Sequence, residues 1–367
     1  MSSYNQEGIS IQIDAPKSER SMVASSPVTK RLVWIDSAKG FAIILVVFGH
    51  VLGGTMARGW LDADGLFKFI YDYIYLFHMP LFFMISGLFC IEPMRINPLN
   101  ALISRTESIA WPYLFWEFLV RTVVLPFARA FMSSPPPDVG WATKFGQALS
   151  GDLSWFLWTL YVMQVLLIPV ARIPVWILLI VSVAACLMLQ DAHLGPFVAL
   201  IRNMPFLLFG AMLRPILDHL RVSNAWSPLL LCFVAFFLMG AALMLGWTVW
   251  TPVWLLCGVM GSLASIGLVQ YLGQPIANTV LANLGVASLA IYILHPYFQA
   301  VGREFVLRIF GTSPFWQLFL TTIIAVLGPF LVWLMSQRLG MPWLFRLDLP
   351  KTKGDLLSVG VLKKDRT

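Results

Sequence analysis

Three of the chain's five histidines, His50, His78 and His295, sit inside long apolar runs. An ionisable side chain among lipid tails is costly, so it faces a bundle interior, a pair partner or a water-filled pocket. Imidazole is the side chain most easily poised to take or give a proton near neutral pH, which is what activating a hydroxyl acceptor requires. Charges share these runs: Asp36 and Lys39 precede His50, Asp72 precedes His78, and Glu117 lies with Arg121 in a third run. On a helix Asp36 and Lys39 can pair on one face. Lys39 and His50 share a face but stand three turns, about 16 Å, apart and cannot bond directly. A cation low on that face and an imidazole higher up suit a long anionic substrate, its phosphates near Lys39 and its reactive end near His50. Each residue also has a structural reading. An intramembrane imidazole can simply bond a neighbouring helix, Lys39 can snorkel to the inner interface, and Asp72 is interfacial. Glu117 and Arg121 at i,i+4 are a ready-made ion pair. His193 and His219 fall in loops and carry no assignment. Cys90, Cys186, Cys232 and Cys257 lack the paired spacing of metal sites and read as small apolar fillers, so no metal centre is expected.

Helices must hold these groups in place. With 59% apolar and 12% charged residues and a mean hydropathy of +0.79, the chain carries more apolar surface than one soluble core could hide. The bilayer must be its solvent. A spanning helix needs roughly 20 mostly apolar residues and a barrel strand about ten with strict alternation; the runs here are long and do not alternate. The predicted fold class is an all-α integral membrane protein, a bundle of about ten transmembrane helices with both termini cytoplasmic. Apolar runs bounded by charge, Pro and Gly place the spans at 33–54, 69–90, 107–128, 154–171, 173–190, 196–213, 227–246, 249–270, 284–302 and 314–337. The fourth and fifth, parted around Arg172, and the seventh and eighth, parted by 246–248, should form tight hairpins.

Orientation follows from Lys and Arg counted on alternate sides. Sixteen fall on one side, from Lys17, Arg20, Lys30 and Arg31 through Arg95, Arg105, Arg172, Arg214 and Arg221 to seven beyond the last span. Six fall on the other: Arg58, Lys68, Arg129, Lys144, Arg303 and Arg308. The positive-inside rule then makes both termini cytoplasmic. Residues 1–31 read as a disordered cytoplasmic tail, 32–340 as a single transmembrane domain and 341–367 as a basic cytoplasmic tail. No cleaved secretion signal is expected, because the first apolar run starts so late. The stretch from about 129 to 153, with Pro135-Pro136-Pro137, reads as a surface loop and a candidate lid. Basic residues cluster at the C-terminus, which fits a flank beside anionic lipid and argues against nucleic acid.

Three segments carry a more specific signal. Asp36-Ser37-Ala38-Lys39-Gly40 leads through apolar residues to Gly49-His50. The second run ends Phe77-His78-Met79-Pro80-Leu81-Phe82-Phe83-Met84-Ile85-Ser86-Gly87, and the ninth carries Gly285, Ser288, Leu289, Ile291, Tyr292, Leu294 and His295. In this order they resemble the acyltransferase-3 family of integral membrane O-acyltransferases. In that family a basic residue precedes the first-span histidine by ten intervening positions, and the second span carries His-x-Pro-x-Phe-Phe-x-x-Ser-Gly. Trp155-Phe156-Leu157 and Pro112-Tyr113 are weaker echoes, and the details are closest to the branch resembling sugar acetylases such as fucose 4-O-acetylase. Two positions depart from the pattern. Lys39 stands where most members have Arg, keeping the charge but losing the planar fork. Of two arginines often found three apart before the third span, Arg105 fits the first, while Ser108 takes the second.

The resemblance implies a multi-pass enzyme of the cytoplasmic (inner) membrane. It would transfer an acyl group, foremost acetyl, from acyl-CoA as co-substrate to a hydroxyl of a cell-surface or exported carbohydrate, with no bound cofactor. His50, His78 and His295 are then the catalytic candidates: His50 as general base or transient acyl carrier, the other two orienting the acceptor or stabilising the oxyanion. Lys39, Arg105 and Asp36 are donor-binding candidates, with Arg95 a looser one. Glu117, Arg121, Ser86 and Tyr292 are candidate supports. Buried charges also mark translocation paths, so the alternative class is a transporter or flippase of a polar glycan or lipid-linked sugar. That class expects inverted repeats and paired broken helices, and the sequence shows neither clearly.

Overall fold

The computed structural model describes residues 33–124, 126, 140–150, 154–189, 194, 195, 197–217, 226–272 and 275–347. The tail expected over 1–31, the basic tail from 348 onward, the triple-proline segment, His193 and His219 lie outside the described residues.

The described residues are overwhelmingly helical. In chain order the helices are α1 (Val33–Met56), α2 (Leu66–Gly87), α3 (Ile91–Ile96), α4 (Pro98–Arg105), α5 (Trp111–Leu119), α6 (Trp141–Ser150) and α7 (Trp155–Leu167). There follow α8 (Val175–Leu189), α9 (Phe197–Leu217), α10 (Trp226–Met244), α11 (Thr251–Tyr271), α12 (Pro275–Val286), α13 (Ser288–Phe310) and α14 (Pro314–Arg338). Five stretches are long and apolar enough to cross a membrane: α1, α2 continued through α3, α9, α11 and α14. The end of α12 from Thr279 and α13 pass the same test together as a broken span or a re-entrant loop, bent by 79° between Val286 and Ser288. α7, α8 and most of α10 are shorter apolar helices. The protein is a multi-pass membrane protein built from helices.

Three predicted elements differ from what forms. The run at 284–302 is not one straight span but follows a break at Ala287. The run at 107–128 is irregular, with π-helical turns at Thr106–Ala110 and Val120–Val124 on either side of α5. Pro112 supplies the reason for the first of these. It has no N–H for the Ser108 carbonyl and its ring crowds that oxygen, so the preceding turn widens and the Trp111 N–H bonds Thr106 O instead. Finally, the stretch expected as a loop at 129–153 contains the ten-residue helix α6.

α1 and α2 occupy the centre. α1 packs on α2, α11, α12, α13 and α14, and α2 also meets α9, α10 and α11. The apolar window of α2 is 83% buried and that of α14 only 22%. α14 accordingly presents Phe315, Phe319, Ile323, Leu327 and Leu331, spaced by one turn, as an exposed row suited to lipid. The central helices touch through glycines. A Cβ on Gly87 would overlap the Leu207 carbonyl of α9, and one on Gly210 of α9 would overlap the Met84 carbonyl. Gly40 and Gly285 lie equally close to the backbones of Leu281 and Asp36, locking α12 across the foot of α1. With no hydrophobic drive between helices in lipid, such close approach supplies the packing that holds them together.

The structure also continues past residue 340. The indole N–H groups of Trp111 and Trp116 donate to the carbonyls of Trp343 (2.6 Å) and Leu344 (2.8 Å), and Phe345 stacks on Trp116. Residues 342–347 are thus a strap against α5, where sequence reading places the start of a tail.

Candidate active site

Where α1 and α13 meet, His50 and His295 face each other with Nδ1 of His50 3.1 Å from Nε2 of His295. Pro296 explains why His295 presents that nitrogen. Proline has no N–H, so the Tyr292 carbonyl four residues earlier loses its helical partner. The His295 Nδ1 lies 2.7 Å from that oxygen and 3.1 Å from Ile291 O. A ring nitrogen bonds a carbonyl only as N–H, so in the neutral ring Nε2 carries the lone pair. His50 must then donate from its Nδ1, which leaves its Nε2 unprotonated. The hydrogen-bond chain from carbonyl to imidazole to imidazole sets both tautomers. His295 is 1% exposed, whereas His50 is only partly buried, so His50 is the ring of this pair that an incoming molecule can reach. Gln299, one turn beyond His295, donates from Nε2 to the His50 carbonyl (3.0 Å) and fastens α13 to α1.

His78 lies on α2 in the same cluster, fully buried, with Nδ1 2.7 Å from the Ile74 carbonyl. The Tyr75 ring neighbours both α1 and α2 histidines, at 4.7 Å from His78 and 6.5 Å from His50, and stacks on Tyr71. Tyr292 closes another side. Its hydroxyl accepts the Phe156 backbone N–H at the start of α7 (3.3 Å), and the Phe156 ring packs on Phe82, Phe83 and Tyr292. The three predicted histidines therefore share one aromatic-walled cluster, with one direct bond among them.

The remaining predicted residues lie elsewhere. Asp36 and Lys39 form an ion pair (3.8 Å) at the foot of α1, three turns from His50. Arg105 donates from Nη2 to the Phe89 carbonyl (3.0 Å), and Arg214 of α9 lies over the Phe89 ring at 5.1 Å. A second guanidinium thus reaches the Arg105 neighbourhood from a distant helix, where local sequence offers only Ser108. Arg95 is occupied structurally, bonding the carbonyls of Ala171 (2.7 Å) and Ile173 (3.4 Å) in the turn between α7 and α8. Glu117 and Arg121 are a buried ion pair (3.0 Å), and Arg121 also donates to Gln147 of α6 (2.8 Å). This pair lies within electrostatic reach of Tyr292 and Tyr297. Ser86, two turns or about 12 Å along α2 from His78, sits at the crossing with α9 and away from the histidines.

Sequence reading overlooked Tyr71, Tyr75 and Gln299. The signal was present: Tyr71, Tyr75 and His78 follow i, i+4, i+7 spacing on one helix face, and Gln299 follows His295 by one turn.

Fold and site together define a multi-pass membrane protein with three histidines gathered in its interior. The family model for an acyltransferase domain matches residues 32–334, and the chain belongs to that acyltransferase-3 family. It is also similar to two nodulation proteins named NolL. One, from Sinorhizobium fredii, is 27% identical over 228 residues, 57% of this chain and 59% of the relative. The other, from Mesorhizobium japonicum, is 31% identical over 147 residues, 39% of this chain and 38% of the relative. The match thus spans less than two thirds of either relative's length. No solved structure matches the chain.

Proposed function

We propose that the protein is an O-acyltransferase of the cytoplasmic (inner) membrane. It moves an acyl group, acetyl before others, from acyl-CoA to a hydroxyl of a cell-surface or exported carbohydrate. The observation that carries this reading is the hydrogen-bond chain from the Tyr292 carbonyl through His295 to His50, which leaves a lone pair on Nε2 of His50, the less buried ring of the pair.

In this mechanism His50 Nε2 takes the proton of the acceptor hydroxyl as its oxygen attacks the thioester carbonyl carbon. The imidazolium so formed is steadied by the His50 Nδ1–H to His295 Nε2 bond. When the tetrahedral intermediate collapses, the carbon–sulfur bond breaks and the proton on Nε2 passes to the leaving thiolate. A base in this role contributes a factor on the order of 10² to 10⁴. A neutral His78, whose Nδ1–H is spent on Ile74, offers a lone pair and no proton. It can therefore orient the acceptor hydroxyl but cannot stabilise an oxyanion. Lys39, held by Asp36, and Arg105, with Arg214 beside it, are cations apt for the donor's phosphates. In the same reading the irregular α4–α5 segment and the short helices α7, α8 and α10 complete ten crossings, leaving both termini in the cytoplasm.

The test is His50→Gln in membranes supplied with labelled acetyl-CoA, together with mass analysis of extracted carbohydrate. The variant should insert and purify like the parent but transfer no label, and the carbohydrate should lose an ester mass. Full transfer by His50→Gln would sink the assignment, and loss of the whole polymer from the surface would favour export instead.

A further inference from the structure

Beyond His50, α1 ends in a pair of cations that acyl transfer as derived above leaves unused. Gly54, one turn above His50, is their meeting point. Arg303 Nη2 and Gln299 Nε2 of α13 fill the space where a Cβ of residue 54 would stand. Arg58, in the turn just past the end of α1, reaches back with Nη1 to 3.5 Å from the Gly54 carbonyl. Both guanidiniums thus approach the same residue of α1, one from α13 and one from the turn that follows α1. Arg58 is exposed and Arg303 partly buried; like charges drawn toward one point are eased when an opposite charge joins them.

Three of the acids at this end of the bundle have partners of their own. Asp72 pairs with Lys68 (2.6 Å), Glu304 with Arg308 (3.1 Å), and Asp62 accepts the Asp64 backbone N–H (3.1 Å). Among the described residues no carboxylate comes within 4.0 Å of either guanidinium. Arg58 has the face of Trp60 at 5.7 Å as a further neighbour. Arg303 lies in the seam between α1 and α13, beside Gly54 and one turn beyond Gln299. One turn of α1, about 6 Å, separates Gly54 from His50, which is roughly the width of a pyranose ring. Paired guanidiniums match phosphate and carboxylate oxygens through charge-assisted, fork-shaped hydrogen bonds.

We propose that Arg58 and Arg303 form an anion subsite beside the acyl-transfer site, and that the acceptor is an acidic carbohydrate. Its phosphate or carboxylate lies about one sugar away from the hydroxyl that is acylated. This rests on the acyl-transfer reading of His50.

Membranes of cells that make the protein are given radiolabelled acetyl-CoA, and the labelled carbohydrate is extracted and passed over an anion exchanger before and after mild acid. Labelled product should be retained before acid. Release as a neutral sugar by acid identifies a glycosyl phosphate, and continued retention identifies a carboxylate. In parallel, purified Arg58→Gln/Arg303→Gln is titrated with unlabelled acceptor extract. The amount needed for half-maximal transfer should rise at least tenfold, with KM for acetyl-CoA unchanged and partial recovery in Arg303→Lys. Neutral product before acid overturns the proposal. So does an unchanged extract titration, which would mean the arginines merely meet lipid headgroups, or a loss of kcat and acetyl-CoA binding together that Arg303→Lys does not repair. Absence of label from every fraction of the parent would instead reject acyl transfer itself, and this subsite with it.

Discussion

His295 and Pro296 are neighbours in the chain, and their adjacency has a chemical consequence. The proline withdraws the N–H that would occupy the Tyr292 carbonyl, and the imidazole takes that oxygen; in the proposed mechanism His295 is then a positioning residue that acts through His50. Two variants separate this role from a purely structural one. Pro296→Ala restores an N–H that competes for Tyr292 O; kcat should fall about tenfold, equivalent to about 1.4 kcal/mol, while thermal stability stays level or rises. A proline needed only for the fold would instead lower stability and leave the turnover of surviving protein unchanged. His295→Gln should lower kcat by about 10²-fold, within the range that correct proton transfer supplies, with KM for acetyl-CoA unmoved. A matching loss of donor affinity in that variant would place His295 at the thioester and not behind His50.

Helix contacts in this bundle run through glycine, so their strength can be tested one methyl at a time. Gly87 is the last residue of the His78-to-Gly87 motif, and its job is visible in the crossing of α2 with α9: a Cβ there meets the Leu207 backbone, which cannot rotate away. Gly87→Ala should destabilise by roughly 1–3 kcal/mol, as overpacking does, and lower the melting temperature in detergent. Gly146, exposed in α6 with nothing within 4 Å of its would-be Cβ, is the internal comparison. Gly146→Ala should gain about 0.5–1 kcal/mol from helix propensity alone. Equal melting temperatures for the two variants would contradict the close-crossing account. The same logic gives the resemblance motif two separable parts, with His78 serving the site and Gly87 the packing. Ser86, next to Gly87, goes with the second part.

At the scale of the whole molecule, the ten crossings proposed above would make both chain ends emerge on one side. The four native cysteines are buried, so a single introduced cysteine reports its own location. Ser3→Cys and Ser358→Cys should react with a membrane-impermeant maleimide in inside-out vesicles and stay unlabelled in intact cells. Labelling of the two positions from opposite sides would require an odd number of crossings and a revised path through α4, α5 or the short helices.

Much of the helical architecture could be read directly from the chain, because hydropathy is a local property: a run such as 33–54 or 314–337 must be a helix wherever the rest of the protein lies. The three intramembrane histidines were likewise legible, since burying an ionisable group in lipid already demands a reason. What sequence could not supply was pairing across helices. His50 and His295 are separated by 245 positions, Arg105 and Arg214 both reach Phe89 from distant parts of the chain, and Arg58 and Arg303 both approach Gly54 where α13 runs along α1. Irregular turns were equally hidden, since the π-helical stretches around α5 and the break before α13 depend on how a proline or a neighbouring backbone is accommodated. Local chemistry therefore determined which residues could act, and tertiary packing, through a few glycine crossings and one proline-freed carbonyl, decided which of them face one another.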